Sequence, residues 1–267
     1  MLLYKSRILF AVLLPLIFVG GLFSGCARKA PDTLVVGMEL ADPPFEMADT
    51  QGKPIGVSVD MANALGKYLG KKVVIENIPF DGLIVALKTG KIDLIISSMT
   101  ATTKRAKSID FSNPYLQTGL CLLVGAKSNI HSIQNLDQPG EVVVVKKGTT
   151  GQIYATQHLR HAKVLVLDKE SACVLEVVQG KADAFIYGQM SVLKYWQRNP
   201  DTTRALLRPF QSEPWAIGVR KENSILLRQV NAFLEEFRTR GGFVRLGDRW
   251  LKQQKKTFQD LGIPFYF

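Results

Sequence analysis

Thr89-Gly90-Lys91-Ile92-Asp93-Leu94-Ile95-Ile96-Ser97-Ser98-Met99-Thr100-Ala101-Thr102-Thr103-Lys104-Arg105 carries an apolar strand into a Ser/Thr-rich turn, then into a helix with Arg105 in its first turn. The hydroxyls of Ser97, Ser98 and Thr100, the N–H groups left free where a helix begins, and a planar guanidinium all favour an anion, which is the design of a carboxylate trap. Taken alone, the segment reads better as a helix cap followed by a solvated surface arginine. A second copy of the same grammar changes the balance: Gln179-Gly180-Lys181-Ala182-Asp183-Ala184-Phe185-Ile186-Tyr187-Gly188-Gln189. Two strands that each end at a polar turn imply two lobes with a site between them.

Outward from these copies, strands alternate with helices. Short apolar runs at 34–37, 73–75 and 92–96 read as strands, and helical spacing covers 59–69 and 81–88. After a strand at 120–124 a new unit begins, with strands at 141–145, 163–167 and 183–187 and helices at 152–159, 171–179 and 190–197. A return strand is expected at 215–219, then amphipathic helices at 225–238 and 243–253. The order predicts an α/β fold of largely parallel sheets covered by helices. The aromatic tail 262–267 is expected to pack on the body.

The chain has 267 residues, 46% hydrophobic and 21% charged, which is ordinary globular composition with room for one large or two smaller cores. Its first 25 residues differ. Lys5 and Arg7 precede an apolar run from Ile8 to Phe23, and then Ser24-Gly25-Cys26. The run is shorter than the roughly 20 residues a membrane-spanning helix needs, so it reads as a secretion signal. It resembles a bacterial lipobox with Cys26 as lipid anchor, departing from it at Phe23; an uncleaved N-terminal anchor would tether the same domain to the same membrane face. Removing residues 1–25 takes away two positive charges and no negative ones, so the net charge falls from +11 to +9. That excess is spread along the chain and not interleaved with aromatics, so nucleic acid is not an expected partner. Cys121 and Cys173 sit in apolar patterns and read as two separately buried thiols. Without CxxC and with three scattered histidines, no metal is expected.

Six ordered motifs then carry a resemblance: Asp42-Pro43-Pro44-Phe45-Glu46, Gly56-Val57-Ser58-Val59-Asp60-Met61-Ala62, Pro79-Phe80-Asp81-Gly82-Leu83-Ile84, Gly90-Lys91-Ile92-Asp93, Asp110-Phe111-Ser112-Asn113-Pro114-Tyr115 and Lys147-Gly148-Thr149-Thr150-Gly151. From about Thr33 to Leu251 the chain resembles the family 3 solute-binding proteins of ABC importers for polar amino acids. The resemblance implies a two-lobe, type II periplasmic-binding-protein-like fold, each lobe a mostly parallel sheet flanked by helices, joined by a two-strand hinge. It divides the chain into signal peptide (1–25), lipid-anchored linker (26–32), first lobe (33–122 with 215–267) and second lobe (123–214).

The resemblance also implies roles. Arg105 grips the ligand α-carboxylate, Ser98 and Thr100 contact the ligand's backbone groups, and the N–H of Thr150 completes the carboxylate site. Phe80 packs over the aliphatic stem, although as a lone aromatic it reads as core. Glu39 reaches toward the ligand's distal group. Asp42 stands where the family has an aromatic; by itself it reads slightly better as a solvated loop acid starting a proline turn, while two carboxylates, Glu39 and Asp42, near one end of the pocket tilt the expectation toward a cationic side chain. Gly188 stands where the family has the aspartate that accepts the α-ammonium, leaving Gln189 or Tyr187 to supply an oxygen, or Glu39 to turn to the ammonium and leave side-chain duty. The expected function is a lipid-anchored receptor on the periplasmic or extracellular face, monomeric and without cofactor. It would bind a basic (arginine or lysine) or glutamine-like amino acid and hand it to an ABC permease. Two alternatives stand: a receptor for an organic acid or modified amino acid lacking the α-ammonium contact, and an enzyme like cyclohexadienyl dehydratase, for which Glu39 is the candidate general acid.

Overall fold

The computed structural model describes residues 32–263. The expected signal segment, Cys26 and the end of the aromatic tail (264–267) lie outside the described residues.

Two five-stranded sheets organise the chain. In the first, Thr33–Met38 lies between Lys72–Asn77 and Leu94–Ile95, both parallel to it; Gly218–Val219 and Asp110–Phe111 continue the sheet antiparallel. The second repeats this plan: Val142–Lys146 lies between Lys163–Leu167 and Ala184–Gly188, both parallel, and Leu116–Gly125 and Thr203–Trp215 follow antiparallel. The parallel half of each sheet is the βαβ half expected from the sequence. The antiparallel half comes from strands returning through the hinge.

Alternate residues of each central strand enter different cores. Leu34, Val36 and Met38 pack on one face of the first sheet and Val35 on the other; Val143 and Val145 are separated from Val144 in the same way. Continuous apolar runs therefore occur because helices cover both faces. The repeated Gly-Lys-x-Asp motif is a structural staple. Gly90 and Gly180 end their helices with φ of +78° and +68°, and Asp93 and Asp183 each accept from a backbone N–H of the first strand, Val35 at 2.9 Å and Val142 at 2.7 Å. Glycine supplies the left-handed turn without a Cβ penalty.

Leu116–Gly125 and Thr203–Trp215 pair along most of their length and cross between the lobes. Leu116 and Trp215 belong to a core of the first lobe, whereas Leu120, Cys121 and Leu122 are already in cores of the second, before the 122/123 division expected from the sequence. Phe258, on the late helix Lys252–Asp260, also packs into a second-lobe core rather than staying with residues 215–267 in the first. The thiols of Cys121 and Cys173 are unbonded and buried, and burial pushes both up to about 12.

Candidate functional site

The cleft closes on a cavity of about 50 Å³ lined from both lobes and the hinge. Glu39, Asp42, Phe80, Ser98, Thr100, Arg105, Thr150 and Gly188 all line it. Gln189 does not: it is buried against the hinge, its Nε2 donating to the Leu207 carbonyl at 2.8 Å.

Arg105 is 6% exposed. The cap of its helix, Thr103–Ala106, is Thr102, whose hydroxyl accepts from the Arg105 N–H, so Ser98 and Thr100 are not consumed as caps. The guanidinium donates to two backbone carbonyls, Thr100 at 2.7 Å in its own lobe and Gly148 at 3.0 Å across the cleft, and stacks 5.3 Å from the Phe80 ring centroid. Among the described residues no carboxylate lies within ion-pair distance of it. Burial lowers its pKa to about 10, with the charge of Glu213 acting in the opposite direction, so it stays cationic at neutral pH. Ser98 sits nearby with φ of +46°, and its buried hydroxyl has no hydrogen-bond partner.

Thr150 opens the helix Thr150–His158, capped by the Thr149 hydroxyl. A Cβ on Gly151 would fall 2.6 Å from the Ile186 carbonyl oxygen, so glycine lets this helix start press against Ala184–Gly188 and brings Thr150 to the cavity. At Gly188 a Cβ would meet no atom within 4 Å.

Glu39, Asp42, Glu46 and Glu170 form a separate acidic group. Lys146, 2% exposed, forms an ion pair with Glu39 across the cleft, and Lys194 pairs with Glu170 at 3.2 Å. Asp42 accepts from Ser191 of the opposite lobe at 2.8 Å, so it is not the solvated loop acid its sequence context also allowed. Glu46 is 1% exposed and accepts from the Ser58 hydroxyl at 2.6 Å. Burial, then the charge of Asp42, raises its carboxyl well above the ordinary glutamate range. The cavity acid whose carboxyl is raised by burial is thus Glu46, whereas Glu39 is engaged by an ammonium.

Lys146, Glu46, Ser191 and Glu213 were not anticipated. Glu213 is 3% exposed; one of its oxygens accepts from the hydroxyls of both Thr100 and Thr150 (2.6 Å for Thr150), and the other from Gln211 at 2.8 Å. Glu46 lies inside a quoted motif and could have been found there. Lys146 ends a run of valines, which reads as a strand end facing water. Glu213 sits between Ser212 and Pro214, a setting that reads as a loop.

Comparison with known proteins supports the fold. The L-cystine-binding protein of Escherichia coli (strain K12) is 29% identical over 83% of this chain and 84% of its own length. An ancestral arginine-binding protein, solved bound to arginine, superposes with a TM-score of 0.77 at 36% identity, covering 82% of this chain and 98% of that one. An ancestral amino acid-binding protein, a precursor of cyclohexadienyl dehydratase, gives 0.76 at 34% identity over 83% and 96%. The family model for bacterial extracellular solute-binding proteins, family 3, matches residues 34–253, and the chain belongs to that family.

Proposed function

We propose that this protein is a lipid-anchored extracytoplasmic receptor that closes its two lobes on a polar amino acid, basic or glutamine-like, and delivers it to the permease of an ABC importer. The observation that carries the reading is Arg105: a buried guanidinium that donates to two backbone carbonyls and, among the described residues, has no carboxylate within ion-pair distance, at the edge of the cavity. A buried cation without a carboxylate partner is costly unless an anion joins it, and a ligand carboxylate does so with two parallel hydrogen bonds. The side-chain class follows from the acids at that end of the cavity: Glu39, paired with Lys146, and Asp42, bonded to Ser191, suit a cationic or amide-bearing side chain. Delivery to an importer rests on the family and on relatives named for amino-acid binding.

A thermal-melting screen of the twenty amino acids and small organic acids tests this. A ligand at a hundred times its Kd stabilises the fold by about 2.7 kcal/mol, roughly 5–11 °C for a chain this size. Arg105→Ala should remove the shift for every carboxylate ligand. No shift with any amino acid at millimolar concentration would reject the reading.

The dehydratase alternative retains one favourable observation, the raised carboxyl of Glu46 in the cavity, which is the property a general acid needs. Recovery of the bound compound unchanged after prolonged incubation separates receptor from enzyme.

A further inference from the structure

We propose that Glu213, on the hinge strand, is the acceptor for the ligand's α-ammonium. This rests on the amino-acid reading above and identifies the residue that makes the site selective for amino acids over simple carboxylic acids.

An α-amino acid carries its two charges one carbon apart, so the group that holds the ammonium must lie beside the one that holds the carboxylate. An ammonium enclosed in the cleft without an acceptor would be strongly disfavoured. Arg105 and Glu213 are linked through a shared residue: the guanidinium donates to the Thr100 carbonyl, and the Thr100 hydroxyl donates to Glu213. Yet they are not an ion pair, so each keeps capacity for a ligand. Glu213 uses three of its roughly four acceptor positions on Thr100, Thr150 and Gln211.

The other carboxyls of the cavity are differently placed. Glu39 is engaged by Lys146, and Asp42 accepts from Ser191. Glu46 is buried and accepts from the Ser58 hydroxyl. The strand end at Gly188 offers no side chain. Charge coupling sorts the acids in the same way: Glu213 is the carboxylate that supports the positive charge of Arg105, whereas Glu39 and Asp42 act on Glu46. Thr100 lies in the first lobe, Thr150 in the second and Glu213 on a strand joining them, so its carboxylate also completes only when the lobes are closed.

The experiment compares matched pairs by calorimetry: L-glutamine with glutaramic acid, L-arginine with 5-guanidinopentanoic acid, and L-lysine with 6-aminohexanoic acid, each des-amino compound lacking only the α-ammonium. Wild-type protein should prefer the amino acid of at least one pair. Glu213→Gln keeps the shape and an acceptor for the threonines but removes the charge. It should weaken the amino acid about 10- to 100-fold, while the des-amino compound binds as before or more tightly. Glu213→Gln combined with Gly188→Asp, which sets a carboxylate where the backbone leaves room, should recover part of the loss.

Equal losses for both members of a pair would make Glu213 a staple between the lobes and overturn the proposal, as would no loss for either. Wild-type protein that binds a des-amino compound as tightly as its amino acid overturns it without any variant, should Glu213→Gln not fold. Wild-type protein that binds no amino acid at all rejects the amino-acid reading itself.

Discussion

Glu46 builds a pH dependence into the fold. Below the ordinary glutamate range both the folded and unfolded chains hold its proton. Above that range the unfolded chain releases it, while the folded chain keeps it up to a raised value set by burial and by Asp42. In that window the unfolded state binds fewer protons, so Glu46 lowers stability as pH rises. Glu46→Gln, an uncharged shape match, should therefore melt at or above wild type at pH 8 and match it near pH 4; the same pH slope in both proteins would mean that the carboxyl is ionised in the fold. At this scale the sequence was informative where function follows local spacing. Ser98, Thr100 and Arg105 lie within eight residues, close enough in the chain to be read as one turn. Lys146 and Glu213 were illegible because a charged residue near a strand end or beside a proline is ordinarily solvated, and only their partners on distant segments reverse that.

Between residue and molecule stand the elements that aim these groups. The helix Thr150–His158 approaches Ala184–Gly188 through Gly151, whose missing Cβ leaves the 2.6 Å gap to the Ile186 carbonyl. Gly151→Ala should push the helix start outward, costing about 1–3 kcal/mol of stability, a fall of several degrees in melting temperature. It should also weaken ligand binding, because Thr150 would lose Glu213. A variant that melts lower but binds as wild type would show that Thr150 is not held in place by this contact. The Gly-Lys-x-Asp repeats were legible because each is a local device, a glycine helix stop followed by an aspartate tied to the neighbouring strand. Thr203–Trp215 was not. Expected only as a return strand beginning at residue 215, it contains Pro209 and Pro214, which argue against a strand. The structure accommodates Pro209 where the pairing shifts register between Leu206 and Gln211, in a strand at the sheet edge, where a missing N–H is tolerated.

Across the whole molecule, the lobes meet through Arg105 with Gly148, Glu39 with Lys146, Asp42 with Ser191, and Glu213 with both threonines. The Glu39–Lys146 pair is the contact most open to competition, because a cationic ligand side chain would offer Glu39 the same charge. Breaking a fully buried pair costs about 3–5 kcal/mol; Glu39 is 19% exposed, so the cost here is smaller. Lys146→Met should loosen the closed form, seen as a larger radius of gyration in solution scattering, and should favour L-lysine and L-arginine over L-glutamine relative to wild type. An unchanged preference would remove Glu39 from side-chain recognition. Sequence by itself determined the two-lobe α/β plan, its repeated strand-turn unit and the arginine jaw, because these depend on periodicity, turn chemistry and groups close together in the chain. Only the tertiary structure decided which acid is raised by burial, which is paired and which shares Thr100 with Arg105. Those states depend on burial and on partners up to 149 residues apart, as from Asp42 to Ser191, and such distances have no counterpart in local sequence.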